Sequence, residues 1–197
     1  TTAFLANEKP ELVWSGGRAL LPKNQVKLLL NRVLVALAAI PRGGKIVVGG
    51  ETSQNSSGTG VDFALERHTD AGALDPSFGV GGKVITSVAS NSGRDTIYAL
   101  TLHEVAGETR ILAAGGEGDF TLARYTDTGE LDASFGTGGK LDHLLGSSIG
   151  AARAVQIDGV GRILVAGHHS NYFALMRLGV NGAPDASFGT AGKVITP

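Results

Sequence analysis

The side chains able to do chemistry in this chain fall into two sets, those that recur at fixed spacing and those that do not. The recurring set is Asp75, Asp132 and Asp185, each followed by x-Ser-Phe-Gly, with Arg67, Arg124 and Arg177 eight residues ahead of them. A short carboxylate in a turn accepts backbone N–H bonds, and an arginine at constant distance can pair with it. Recurrence marks what every copy needs, so these residues read as scaffold; the sharper alternative is an anion site made of three arginines. Gly-Gly-Lys after each Phe-Gly resembles a phosphate cradle, but a phosphate loop needs a longer glycine spacing and a following helix. The second set is unique to each copy: Glu51, Asp62, Arg94, Asp95, Glu117, Asp119, His143, His168, His169 and Asn171. Imidazole and carboxylate together suit zinc and related ions, and carboxylates with carbonyls suit calcium. His168 and Asp119 are the metal candidates. Adjacent His168 and His169 on an extended chain point to opposite sides, however, and no spacing matches a standard metal motif. No cofactor is therefore predicted, with a divalent metal as the alternative. There is no G-x-S-x-G elbow, and the absence of cysteine excludes thiol catalysis, disulfides and thiolate metal sites.

These residues sit on a repeat. Asp62 to Lys83 reads DFALERHTDAGALDPSFGVGGK, Asp119 to Lys140 reads DFTLARYTDTGELDASFGTGGK, and Tyr172 to Lys193 reads YFALMRLGVNGAPDASFGTAGK. Each is preceded by a run of KIVVGG type (Lys45 to Gly50, Arg110 to Gly116, Arg162 to His168) and, before that, by an apolar run at 33–40, 97–102 or 152–157. The runs are short, rich in Ile and Val, and bounded by Gly, Asp, Asn or Ser, which favours strands over helices. Four strands per unit of about 55 residues follow, joined as an antiparallel meander. A helix is the rival reading for the first 40 residues, where 25–39 has good helix formers and apolar residues at Val26, Leu29, Leu30, Val33 and Leu37; register with the other two copies argues against it for 33–40 and leaves 23–31 open to a helical turn. The expected organisation is an N-terminal segment over 1–17 and repeats over 18–197, with units at about 33–87, 97–143 and 152–197 and an extra outer strand at 18–22.

A four-stranded sheet cannot hide both its faces alone, and repeated ones bury themselves by radial stacking. The predicted fold class is all-β, a β-propeller of repeated four-stranded antiparallel blades. Three blades are fewer than the four to eight that close a ring, so a homo-oligomer or the flanking repeats of a longer chain is expected to complete it. The 17 basic and 18 acidic side chains nearly cancel, which argues against nucleic acid as a partner. The longest apolar stretch, Leu28 to Ile40, is broken by Asn31 and Arg32 and is shorter than the roughly 20 residues of a membrane span. No signal peptide is visible.

The block LDxSFGxGGKV, its LDxSFG part matched fully at Leu74 to Gly79 and Leu131 to Gly136 and with departures at Pro184 and at Thr190-Ala191-Gly192 in the third copy, resembles the delta-60 repeats of bacterial surface and secreted proteins. That resemblance implies a propeller similar to those of NHL and kelch proteins and an extracellular or bacterial cell-surface location. It implies no common reaction, so function rests on the variable loops, which scaffolds use for binding. In such a blade the loops between the second and third strands share a face with the blade-to-blade loops. His143, His168, His169, Asn171, Glu51, Arg94, Asp95 and Glu117 are the binding candidates on that face. The expectation is a noncatalytic module that binds a protein or glycan there. The alternative is a metal-dependent hydrolase or lyase with its site near the propeller axis, and a third reading is a spacer in a long adhesin.

Overall fold

The computed structural model describes residues 34–36, 45–52, 61–88, 94–142, 144–146 and 149–196. Those residues form twelve strands and no helix. β1 (Leu34–Ala36), β2 (Ile46–Thr52), β3 (Asp62–His68) and β4 (Lys83–Thr86) make the first sheet. The second holds β5 (Arg94–Val105), β6 (Glu108–Glu117), β7 (Thr121–Tyr125) and β8 (Lys140–Leu141), and the third β9 (Gly150–Ile157), β10 (Ile163–His169), β11 (Tyr172–Leu178) and β12 (Lys193–Thr196). Every pairing within a sheet is antiparallel and joins chain neighbours, so each unit is the four-stranded meander that the repeat implied. Several boundaries move: β5 runs Arg94–Val105 rather than 97–102, β6 Glu108–Glu117 rather than 110–116, β2 ends at Thr52 rather than 50, β9 begins at Gly150 rather than 152, and β8 stops at Leu141 rather than 143. The added starts are explained by pairing, Arg94 opposite Glu117 and Gly150 opposite His169. The expected outer strand at 18–22, the segment 1–17 and most of the run 33–40 lie outside the described residues, as does the rival helix over 25–39 except at Leu34–Ala36, which is strand.

Alternation along the strands decides how the sheets stack. β3 buries every second residue, Phe63, Leu65 and Arg67, whereas β7 is buried at all five positions. A strand buried on alternate residues has one face covered, and a strand buried throughout has two. The middle sheet is thus sandwiched. Ile111, Ala113, Ala123 and Tyr125 pack toward the first sheet with Val47, Phe63, Leu65 and Phe78. Leu112, Ala114 and Leu122, next along the same strands, pack toward the third with Ile163, Val165, Met176 and Leu178. Close approach needs small residues: a Cβ on Gly49 would lie 2.8 Å from Leu100 Cδ1 of the neighbouring sheet.

The turn before each outer strand shows how sequence sets local geometry. Gly81 and Gly138 hold φ near +59°, a left-handed conformation that costs an L side chain about 1–2 kcal/mol. In the third copy Ala191 takes the same conformation at φ +52°. A Cβ on Gly138 would meet nothing within 4 Å, so backbone strain is the sole penalty there. Replacing Ala191 with Gly is expected to raise stability by about 1 kcal/mol, and Gly138→Ala to lower it by a similar amount. Urea titrations of the two variants check this; a loss for Ala191→Gly or a gain for Gly138→Ala would contradict the strain.

Candidate functional site

The ends of the second strands and the starts of the first do share one face, and part of the expected cluster forms there. Arg94, at the start of β5, places Nη2 3.0 Å from Glu51 Oε1 of the first sheet and Nε 3.2 Å from Glu117 Oε2 of its own. The Tyr98 hydroxyl donates to Glu117 Oε1 at 3.1 Å, and the Thr96 hydroxyl donates to Glu51. Arg94 is half exposed, so these pairs tie two sheets at the surface and contribute little energy each. Asp95 accepts the Val88 N–H at 2.8 Å. Asp119 accepts three backbone N–H bonds, from Phe120 at 2.6 Å, Leu145 at 2.8 Å and Gly146 at 2.9 Å. It therefore staples the loop after β8, and its carboxylate is not aimed outward as a metal ligand would be.

The histidines do not join this group. His168 and His169 end β10, paired with Phe173 and Tyr172, and no hydrogen bond or ion pair among the described residues links them to Arg94, Glu51 or Glu117. Asn171 is exposed beside them, Asp62 opens β3 opposite Thr52, and His143 lies outside the described residues. Among the described residues no three His, Asp or Glu side chains stand close enough together to hold a metal ion.

The most organised polar cluster is the recurring one. In each copy the Asp Oδ1 accepts both the amide and the hydroxyl of the serine two residues on, at 3.0 and 2.6 to 2.7 Å, while Oδ2 accepts the arginine Nε at 2.7 to 2.9 Å. The guanidinium also reaches the serine hydroxyl and lies over the phenylalanine ring, 4.7 Å from its centroid in the first two copies and 4.8 Å in the third. A second cation approaches the same carboxylate in every copy: Lys45 at 3.4 Å, Arg110 at 3.1 Å and Arg162 at 3.7 Å. The arginines are accordingly paired within the scaffold, and no ring of open guanidinium groups exists. Burial pushes the Asp132 carboxyl up, but hydrogen bonds from Ser134, the charge of Arg124 and a hydrogen bond from Arg110 outweigh it and hold it at about 2. Bonds from Ser77, helped by Arg67 and Lys45, hold Asp75 lower still.

One buried group had no signal in the repeat. His103 on β5 is fully buried, with Nε2 3.0 Å from the Gly161 carbonyl oxygen and Nδ1 3.4 Å from Arg124 Nη1. Burial lowers its pKa, and the Gly161 carbonyl only partly offsets that. It bridges the second and third sheets, and its copy-specific identity was the available clue. A shallow groove of about 450 Å³ lies nearby, lined by Glu108, Thr109, Arg110, Thr126, Asp127 and Thr128.

Comparison with known proteins adds two findings. A family model described as "Domain of unknown function (DUF5122) beta-propeller" matches residues 105–135 and 161–188, across the second and third copies. The repeat is of propeller type. A model described as "Histidine phosphotransferase C-terminal domain" matches residues 1–78. Protein phosphotransferase ChpT of Brucella abortus (strain 2308) is 60% identical over 47 residues, covering 24% of this chain and 22% of that protein, so the match spans under a quarter of the relative's length. No solved structure matches. The phosphotransferase matches overturn the expectation of a noncatalytic module recognising a protein or glycan through its rim loops, and with it the metal-hydrolase alternative. That expectation failed because it drew on the repeats alone and left residues 1–44 without a functional reading.

The carboxylate staple gives a definite acid response. A group whose folded pKa lies below its ordinary value contributes stability that is full above that value and is lost as pH falls through the folded one. For Asp132 the window runs from 3.8 down to about 2. Thermal melts of the native chain should fall through that window, and Asp132→Asn should flatten the fall. Asp132→Ala leaves the buried Arg124 without its partner and is expected to lower stability by about 3–5 kcal/mol. A loss under about 1 kcal/mol in denaturant titrations would show that the staple does not hold the turn.

Proposed function

We propose that this chain takes part in phosphotransfer signalling, with residues 1–78 docking a phosphotransfer partner and the propeller-type sheets carrying that segment. The supporting observation is the likeness of residues 1–78 to a histidine phosphotransferase C-terminal domain, together with 60% identity to a named phosphotransferase over 47 residues. A docking role is favoured over a phosphoryl-carrying one by the chemistry of the one histidine in that span. His68 has Nδ1 3.2 Å from the Gly72 carbonyl oxygen and Nε2 3.4 Å from Glu66 Oε2. A phosphoryl acceptor needs a ring nitrogen with an open in-line approach, and a carboxylate beside Nε2 repels an incoming phosphoryl anion. The matched span also runs through β2 and β3 to Phe78, so the docking segment and the first sheet are continuous.

The test is a binding titration of the full chain against an autophosphorylated histidine kinase and against a receiver domain, with the phosphoryl group radiolabelled. Saturable binding to one of them is expected, with no acid-labile label left on this chain and with His68→Gln binding within about twofold of the native chain. Absence of binding to both would end the phosphotransfer reading. Acid-labile label that disappears in His68→Gln would replace docking by phosphoryl carriage.

A further inference from the structure

The two contacts between neighbouring sheets are built alike, and the outer ends of the stack carry the two halves of a third. Across the first contact Arg67 donates through Nη1 to the Asp127 carbonyl oxygen, and the Gly79 N–H donates to the Thr128 carbonyl at 2.8 Å. Across the second, Arg124 donates to the Val180 carbonyl and the Gly136 N–H to the Asn181 carbonyl at 3.0 Å. In both, a glycine of the next sheet's turn lies against the phenylalanine ring of the preceding sheet. A Cβ on Gly129 would be 2.9 Å from Phe78, and one on Gly182 would be 2.9 Å from Phe135. Likewise a Cβ on Gly167 would be 2.9 Å from Phe120.

The third sheet offers the donor half of this contact to solvent. Phe173, whose counterparts Phe63 and Phe120 are fully buried, is 77% exposed, with Leu175 and Ile195 exposed beside it. Arg177 Nη1 reaches no described carbonyl of the kind that Arg67 and Arg124 reach, and the Gly189 N–H has no described acceptor. The first sheet offers the acceptor half. Asp70 and Ala71 stand where Asp127 and Thr128 stand in the second copy, and Gly72 where Gly129 stands. A Cβ on Gly72 or on Gly50, the counterpart of Gly167, would meet no described atom within 4 Å.

We propose that the third sheet of one copy of this chain docks on the first sheet of a second copy. Arg177 donates to the Asp70 carbonyl of that copy, the Gly189 N–H donates to the Ala71 carbonyl, and the Phe188 and Phe173 rings cover Gly72 and Gly50. Two such contacts related by a twofold axis close a ring of six sheets, within the range of closed propellers. The occupant is a second copy because the required surface is the one that the first sheet presents: the same turn, glycine and carbonyls that already cover Phe78 and Phe135. This self-association uses part of residues 1–78 but does not rest on the phosphotransfer reading, and it survives that reading's failure.

The test is light scattering and sedimentation of the full chain, alone and with Phe173→Glu and Asp70→Arg. Phe173 is exposed in a single copy, and Asp70 lies in an exposed turn, so neither substitution disturbs the packing of one copy. The native chain is expected at twice 20.1 kDa. Each variant is expected to weaken association about tenfold or more, with an unchanged far-ultraviolet circular dichroism spectrum. A native chain at 20.1 kDa would overturn the proposal and leave the face to a further repeat. A dimer indifferent to both variants, or an open ladder of higher masses, would overturn it as well.

Discussion

The guanidinium on the third strand of each unit is the interaction on which the architecture depends. It joins three levels of structure with one planar group. Through Nε it fixes the aspartate of its own turn, through Nη2 the serine, through its face the phenylalanine, and in the first two units it reaches through Nη1 a carbonyl of the next sheet. Lysine could not make these contacts together, since a point charge lacks the fork and the stacking face. A buried charge is costly unless every part of it is met, and Arg124, with its side chain 1% exposed, is met on every side. The fold thus ties the shape of a turn to the spacing of the next sheet, and errors in either would strand the same cation.

This coupling explains why the repeat was legible and the site was not. Strands, hairpins and the pairing of Arg67, Arg124 and Arg177 with the turn aspartates could be read because three copies in one chain display which residues the fold requires. Phe78 and Phe135 at inter-sheet contacts followed from the same recurrence. The extended starts of β5 and β9 escaped because Arg94, Asp95 and Gly150 lie in loop-like sequence and become strand only by pairing across to Glu117 and His169.

The variable residues were harder for a physical reason. Their grouping was inferred from shared position on one face, but grouping at that scale does not create chemistry. Arg94 lies between Glu51 and Glu117, so one cation is shared by both carboxylates. Asp119 turns inward to three amides, which a carboxylate next to a short loop does readily. His168 and His169 follow a strand whose neighbour positions are Phe173 and Tyr172, so no acidic partner stands opposite them. What the repeats could not report was the start of the chain, where no second copy exists for comparison and where the likeness to a phosphotransferase resides.

The first and third sheets differ from the middle one in burial, although their sequences are close relatives. Phe173 and Phe63 occupy one position of the repeat, yet one is 77% exposed and the other fully buried. Sequence alone cannot set that difference; only the presence or absence of a neighbouring sheet does. A third strand that repeats the apolar face of its siblings without covering it forgoes roughly 25 cal/mol for each Å² of apolar surface left in water. The same reasoning places strain at Ala191, where the third copy departs from glycine while its outer turn keeps the left-handed conformation. Among the described residues the third sheet leaves in water an aromatic position that the other two cover, and its outer turn keeps a left-handed alanine where they have glycine.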